Sequence, residues 1–175
     1  KIYDVGEHNE NHYISMEYVP GSSLYNILKN GRTFDIDTAV DIVKKICGAL
    51  SHIHDKRIIH RDLKPGNIMV TSTEKGPAVK VIDFGLSHAK PLAVITGEDE
   101  VVGTFSYMSP EQAGVIKTGV DERSDLYSLG VILYQLLTGI LPYTGDSISS
   151  IIHQHIAKIP PTPSEVNNQL PGILD

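Results

Sequence analysis

The chain has 175 residues, of which 41% are hydrophobic and 21% charged, a composition that fits one domain with a core and argues against disordered or collagen-like chains. Its net charge of -6 argues against general binding to nucleic acid phosphates. No run of eighteen apolar residues and no basic-then-apolar N-terminus is present, so neither a membrane span nor a signal peptide is visible. The lone Cys47 cannot form an internal disulfide, fits a reducing compartment, and is predicted to be a small core residue.

The first third of the chain predicts a hairpin followed by two helices. The β-rich runs "KIYDVGE" and "HYISMEYV" are separated by the polar "HNEN", which is typical of a hairpin. After the breaker "PGSS", the run "LYNILKN" predicts a short helix that ends at Gly31. From Asp37 to His54, apolar residues recur at steps of three and four, which predicts an amphipathic helix with an aspartate cap. These apolar positions are Val40, Val43, Cys47, Leu50 and Ile53.

The remainder predicts short strands and then helices. "RIIH", "IMVT" and "AVKVID" are three short β runs. Segment 84–111 has no clear period, so it is interpreted as functional or disordered. Ser124–Thr138 is apolar on nearly all sides, which predicts a buried helix, and "DSISSIIHQHI" predicts another. "PPTPSEVNNQLPG" is expected to be an extended tail. The chain as a whole therefore predicts an α+β fold, with a β-rich start on a mainly helical body.

Two pairs of histidines raise the question of a metal site. His52 and His54, like His153 and His155, are two residues apart on predicted helices. This spacing places the two rings of each pair on different faces. We therefore expect solvated or locally hydrogen-bonded histidines rather than zinc ligands.

The stretch "HRDLKPGN" at 60–67 holds a group of residues suited to phosphoryl transfer. Asp62 and Asn67 are five residues apart, and "DFG" at 83–85 follows a predicted strand. Carboxylate and amide oxygens are hard ligands that suit Mg²⁺. The other carboxylate can accept the proton of an attacking hydroxyl, and Lys64 can neutralise charge on a phosphoryl group.

The order of several motifs resembles that of one enzyme family. "HRDLKPGN", "DFG" and "GTFSYMSPEQ" resemble the catalytic loop, metal loop and activation-segment end of eukaryotic-type protein kinases. "DERSDLYSLGVILYQLLTG" and "LPYTGDS" are similar to the helix and loop that follow. The lysine of "DLKPGN" is the Ser/Thr-specific form. "SPEQ" and "TGDS…HQH" most resemble the bacterial Ser/Thr kinases, including those with extracellular PASTA repeats.

The resemblance covers essentially the whole chain and implies a partial protein-kinase-like fold. Residues 1–20 correspond to a remnant of the small lobe, with two strands and the hinge. Residues 21–175 correspond to a mainly helical large lobe that is truncated at its C-terminus. The family's glycine-rich loop and its strand lysine with a helix glutamate have no counterpart in this sequence. We therefore expect a fragment of a kinase, with weak or no activity by itself, because ATP would be poorly oriented.

The same resemblance implies roles in catalysis. Asp62 would orient or deprotonate the substrate hydroxyl, and Lys64 would contact the transferred phosphate. Asn67 and Asp83 would hold Mg²⁺ or Mn²⁺. Thr104 would bond to Asp62 and Lys64 and help to select Ser/Thr substrates.

A second set of residues is expected around the adenine of ATP. Met16 would be the gatekeeper at the back of the pocket. The carbonyl of Glu17 and the amide of Val19 would face the adenine edge. Met69 would form the floor beneath the ring.

Other residues are expected to be architectural. His60 and Phe84 would pack on each other as spine residues. Asp125 would brace the backbone of the catalytic loop from the buried helix. Glu111 pairs in the family with an arginine further along the chain, and no arginine follows Arg123 here.

The resemblance also implies regulation through the activation loop. Arg61 would pair with a phosphorylated residue there, for which Thr96 is the candidate. Glu98, Asp99 and Glu100 follow it directly. These acids either substitute in part for a phosphate or form a solvated acidic turn.

The function expected from these features is Ser/Thr protein kinase. The expected partners are ATP and proteins that bear Ser or Thr, without nucleic acid, and with dimerisation for autophosphorylation. The expected location is cytoplasmic, with the full-length parent anchored in a membrane by segments absent here. Two alternatives stay open at this point. One is a small-molecule phosphotransferase, which lacks the peptide-docking segment. The other is a binding or regulatory module.

Overall fold

The computed structural model describes residues 2–8, 11–29, 31–83, 103–116 and 118–175. The chain begins with an antiparallel hairpin of β1 (Ile2–His8) and β2 (Asn11–Met16). The Tyr13 hydroxyl donates to Asp4 Oδ2 at 3.0 Å across the two strands. The predicted hairpin is confirmed.

A second sheet has three antiparallel strands in the order β3-β4-β5. They are β3 (Ser22–Ser23), β4 (Ile68–Thr73) and β5 (Gly76–Val81). β4 and β5 confirm two of the predicted short strands. Helix α1 (Leu24–Leu28) follows β3 directly, and the Ser23 side chain caps it by accepting from Asn26 N.

Helix α2 (Ile36–His54) is the predicted amphipathic helix, capped by Asp35, whose carboxylate accepts from Thr38 N at 2.9 Å. The predicted core face is only partly right, and Cys47 is exposed. The helix carries apolar side chains over a broad sector, so the spacing alone does not say which of them face the core. The buried residues are Ala39, Ile42, Ile46, Leu50 and Ile53.

Helix α3 (Glu122–Thr138) is the predicted buried helix and packs against α2. Gly139 follows the helix as its C-cap and has φ +77°, a left-handed conformation that favours glycine. A Cβ at this position would also lie 2.6 Å from the Gly31 carbonyl oxygen. The close approach joins the end of α3 to the loop before α2.

The last part of the chain holds α4 (Ile148–Ala157), α5 (Pro163–Val166) and a 3₁₀ turn at Gly172–Leu174. α4 confirms a predicted helix, whereas the expectation of a wholly extended tail is wrong. Thr162 and Glu165 form a capping box that, with Pro163 in the first turn, starts α5. Among the helices of the described ranges, none has the length and apolarity to cross a bilayer.

The predicted strand "RIIH" is wrong, because residues 57–60 form no strand. Arg57 has φ +59° and ends the turn after α2. The amide of Ile58 donates back to Ile53 O, and the amide of His60 donates to the Asp125 carboxylate. These donors are engaged outside any sheet, so the segment is held by a side chain of α3 instead of a neighbouring strand.

Candidate active site

The loop at 60–67, here called the catalytic loop, is fixed to α3 by Asp125. This carboxylate is 1% exposed. Its Oδ2 accepts from His60 N at 2.8 Å, and its Oδ1 accepts from Arg61 N at 2.9 Å. His54 Nε2 on α2 lies 2.8 Å from the same Oδ2. The predicted brace from the buried helix is confirmed.

His60 ties the catalytic loop to the end of β5. Its ring is fully buried, with Nδ1 3.3 Å from Asp62 N and Nε2 3.0 Å from Ile82 O. Because the Asp62 N–H donates to Nδ1, we assign the ring proton to Nε2, which donates to Ile82 O. Burial lowers the pKa of His60, in agreement with this neutral form. Its predicted partner Phe84 lies outside the described residues.

The structure brings together the four residues predicted to be catalytic. Lys64 Nζ lies 3.0 Å from Asp62 Oδ2 and 3.1 Å from Thr104 Oγ1. Asn67 Nδ2 donates to the Asp62 carbonyl at 2.7 Å and to Asp62 Oδ2 at 3.1 Å. The Asp62 carboxylate is therefore held between an ammonium and an amide, while its side chain stays 28% exposed.

The residues predicted to bind a metal carry oxygen atoms of the kind that Mg²⁺ prefers. Asn67 uses its Nδ2 toward Asp62, which leaves its side-chain oxygen as the atom for a cation. The Asn67 carbonyl accepts from Ile82 N at 2.9 Å. Asp83 is the next residue in the chain after Ile82. One amide and one carboxylate suit Mg²⁺, which takes few protein ligands beside substrate phosphates.

A metal site built from several His, Cys, Asp or Glu side chains is not found in the described ranges. No group of three or more His, Cys, Asp or Glu side chains there could hold an ion. The expectation that the histidines are solvated or locally bonded needs correction for two of them, however. His54 bonds to Asp125 on α3, and His155 bonds to Tyr127 on the same helix.

Two residues of the site adopt a conformation that is uncommon without glycine. Arg61 has φ +66° and Asp83 has φ +60°. Such strained positions cost roughly 1–3 kcal/mol each and persist where the surroundings determine them. One precedes Asp62 and the other is a predicted metal ligand, so two of the three non-glycine residues with positive φ in the described ranges lie at the predicted chemistry.

The predicted adenine residues lie between β2 and β3 and on β4. Met16 ends β2 and is 42% exposed, and Glu17 and Val19 follow it in the connection. The Lys80 ammonium donates to Glu17 Oε1 at 2.6 Å, which lowers the pKa of Glu17 to about 2. Met69 pairs with Lys80 in the sheet. The ion pair, which sequence reasoning missed, therefore connects the predicted hinge with the sheet that carries the predicted floor.

The segment after Thr104 is packed onto α3. The Tyr107 carbonyl accepts from Ser128 Oγ at 2.7 Å, and the Tyr107 hydroxyl donates to Gln135 at 2.6 Å. Glu111 has a partner other than arginine, because its Oε1 accepts from Ser124 Oγ at 2.6 Å. The candidate regulatory residues Thr96 and 98–100 lie outside the described residues.

His155 is buried on α4 among aromatic side chains. Its Nδ1 lies 2.6 Å from the Tyr127 hydroxyl, and its ring meets the Tyr143 ring edge-on at 4.7 Å between centroids. Burial lowers the pKa of His155. Sequence spacing gave no signal for this contact, because both tyrosines come from other elements.

The two buried histidines predict a loss of stability in mild acid. Their pKa values are lowered in the folded state, so the unfolded chain binds protons first as the pH falls through about 6.5. The stabilisation is complete above that value and is lost below it. We expect the melting temperature to fall between about pH 7 and pH 5, and His155→Phe to flatten this slope. The control is His153→Gln on the exposed side of α4, and equal slopes in wild type and His155→Phe would contradict the prediction.

Comparison with known proteins places the whole arrangement in one family. Residues 1–172 match the protein kinase domain. A "probable serine/threonine-protein kinase" of Clostridium acetobutylicum is 41% identical over 174 residues, which cover 99% of this chain and 26% of that protein. The serine/threonine-protein kinase PknB of Mycobacterium leprae is 42% identical over 179 residues, with coverages of 99% and 28%. A "probable serine/threonine-protein kinase PknB" of Bifidobacterium longum is 44% identical over 165 residues, with coverages of 93% and 23%.

The chain spans about a quarter of the length of these relatives. The family match confirms the partial kinase-like fold and the resemblance to bacterial Ser/Thr kinases. Proteins of this family use ATP and a divalent metal. The chain belongs to the protein kinase domain family.

Proposed function

We propose that this chain is part of the catalytic domain of a serine/threonine protein kinase, which transfers the γ-phosphate of ATP to Ser and Thr hydroxyls of proteins. The observation that carries the proposal is the Asp62 carboxylate held between Lys64 Nζ and Asn67 Nδ2, with Lys64 also bonded to Thr104. Relatives over 40% identical that are named Ser/Thr kinases support it.

Asp62 is assigned to the substrate hydroxyl. Both contacts that its carboxylate receives from Lys64 and Asn67 fall on Oδ2. We therefore assign Oδ1 to the incoming hydroxyl, which it orients and whose proton it accepts. A positioned base of this kind contributes about 10²- to 10⁴-fold to a rate.

Lys64 is assigned to the transferred phosphoryl group, and Thr104 to the protein substrate that accepts it. The Lys64 ammonium, 3.0 Å from Asp62 Oδ2, offsets negative charge that develops on the phosphoryl group. Thr104 lies 3.1 Å from the same ammonium and begins the segment that packs on α3. A substrate chain placed along that segment would present its hydroxyl to Asp62.

Asn67 and Asp83 are assigned to Mg²⁺ or Mn²⁺, because they offer an amide and a carboxylate oxygen. In support, Asn67 bonds to Asp62, and Ile82, the residue before Asp83, donates to the Asn67 carbonyl. A metal ion held there would offset negative charge on the phosphate groups of ATP. The adenine is assigned to Met16, the backbone of Glu17 and Val19, and Met69 below the ring.

The lobe assignments and cellular context belong to the same proposal. Residues 1–20 are assigned to the small lobe, and residues 21–175 to the large lobe. Their support is the separation of the β1–β2 hairpin from the three-stranded sheet and helices. We assign a cytoplasmic location, where ATP is available, with protein substrates and autophosphorylation between two copies.

Asp83→Asn should abolish the dependence of nucleotide binding on Mg²⁺. Asparagine tolerates the left-handed conformation of Asp83, so the change removes charge and spares the backbone. Titration of the full-length protein with a fluorescent ATP analogue, with and without Mg²⁺, measures the effect. Asp146→Asn, on an exposed loop, is the control. If Mg²⁺ strengthened binding equally in Asp83→Asn and wild type, Asp83 would not be a metal ligand.

Phosphate transfer by the full-length protein tests the proposed function. The protein is incubated with γ-labelled ATP, Mg²⁺ and a generic basic protein, and the labelled amino acids are identified. Label on serine and threonine is the expected result. Label found only in small molecules would indicate a small-molecule phosphotransferase, and ATP binding without transfer would indicate a regulatory module; either would overturn the proposal.

A further inference from the structure

The side chain of Gln112 joins two segments that are distant in sequence. Its Nε2 donates to the Arg61 carbonyl at 2.7 Å, across 51 residues. Its Oε1 accepts from Ser109 N at 3.2 Å and from Ser109 Oγ at 3.0 Å. Ser109 is fully buried. One amide group thus bonds to the catalytic loop at one end and to the segment after Thr104 at the other.

The contact holds the peptide that precedes Asp62. The Arg61 N–H donates to Asp125 on α3, and the Arg61 carbonyl accepts from Gln112. The left-handed φ of +66° at Arg61 is thereby maintained from both sides, as an unfavourable conformation requires. Loss of either contact would let the peptide relax and carry Asp62 with it.

Gln112 also lies next to the reacting groups. It lines a small cavity together with Asp62, Thr104 and Met108. Its bonds to Ser109 are local, and would suffice for a turn at 109–112. The bond to Arg61 serves no local turn, so a purely local role leaves it unexplained.

We infer that Gln112 is a positioning residue for phosphoryl transfer, which sets the orientation of Asp62 through the Arg61 peptide and couples it to the acceptor-facing segment 104–109. This inference rests on the proposed kinase function. The position requires a side chain with a donor and an acceptor at opposite sides of one planar group. Glutamate has the same shape but only acceptors, so it can keep the Ser109 contacts and would repel the Arg61 carbonyl.

Gln112→Glu therefore removes the bond to the Arg61 carbonyl and can keep the bonds to Ser109. In the full-length protein we expect kcat for transfer to a Thr peptide to fall roughly 10- to 100-fold, as for other small misplacements of reacting groups. The KM for ATP should stay within about twofold, because no ATP-side residue is touched. Gln112→Met removes both contacts without adding charge. It should also lower kcat and leave the KM for ATP unchanged, and it replaces Gln112→Glu as the test if that variant does not fold.

The matched control is Gln154→Glu. Gln154 lies on α4, and its Nε2 also donates to a backbone carbonyl, that of Thr144. Ser109→Ala tests the local end, and should lower kcat by less than about threefold since Ser109 N still donates. Melting temperatures are measured for all variants to check that each is folded.

The outcomes separate this inference from the proposed function. If the wild-type protein transfers no phosphate, the proposed function fails. If wild type is active and a folded Gln112 variant keeps kcat within about twofold, the role of Gln112 is overturned while the kinase function stands. An equal loss of kcat in Gln154→Glu would also overturn it, because the effect would not depend on the Arg61 contact.

Discussion

Asp62→Asn is expected to lower kcat for γ-phosphate transfer by about 10²- to 10⁴-fold, the contribution of a positioned general base. Asparagine has the shape of aspartate but cannot accept the proton of a substrate hydroxyl. The backbone contact from Asn67 to the Asp62 carbonyl does not depend on the carboxylate, so the loop should keep its conformation. Affinity for MgATP should therefore stay within about threefold of wild type.

Steady-state kinetics of the full-length protein, combined with a nucleotide titration, measure both quantities. Asp146→Asn removes an exposed carboxylate that is not part of the catalytic loop and should leave both unchanged. Turnover near that of wild type in Asp62→Asn would show that another group accepts the proton. A parallel loss of MgATP affinity would assign Asp62 to nucleotide binding instead of the hydroxyl.

Asp125→Ala is expected to lower the free energy of unfolding by about 2–5 kcal/mol. The change removes the acceptor for the amides of His60 and Arg61 and for the ring of His54. Two backbone N–H groups would then lie in a site from which water is largely excluded. Because the same amides orient the catalytic loop, kcat should fall with stability.

Chemical denaturation gives the stability difference, with Asp146→Ala as an exposed control expected to change it by less than about 0.5 kcal/mol. The loss of stability in Asp125→Asn should lie between those of Asp125→Ala and Asp146→Ala, since an amide retains one acceptor oxygen. A loss below about 1 kcal/mol in Asp125→Ala would mean that the loop amides find other partners.

The parts of the site that could be predicted from sequence are those whose chemistry depends on short spacing. Asp62, Lys64 and Asn67 lie within six residues, so one loop brings them together without help from the rest of the fold. The contact from Lys64 to Thr104 and the brace from Asp125 span larger distances. They were predicted because the motif order resembles that of kinases, and periodicity alone would not have placed them.

The parts that were missed depend on tertiary contacts. "RIIH" has strand composition, but its amide partner is a buried carboxylate, as His60 shows. Cys47 fits a helical apolar period, yet the core lies on a neighbouring sector of α2. Gln112 ends the motif "SPEQ", which names no partner for it, and Lys80 lies in no motif; both contacts depend on a partner far along the chain. The pairing of Arg61 with a phosphorylated Thr96 stays a prediction.

A single-turnover experiment shows whether the Asp62 site transfers phosphate to Ser/Thr hydroxyls. Full-length protein in excess over labelled ATP is mixed with Mg²⁺ and a peptide that contains one threonine, and phosphothreonine is quantified by rapid quench in wild type and Asp62→Asn. A rapid phase is expected in wild type and should be lost in the variant, while both bind the nucleotide. Equal phosphothreonine formation in the two proteins, or none in wild type with nucleotide bound, would contradict this expectation.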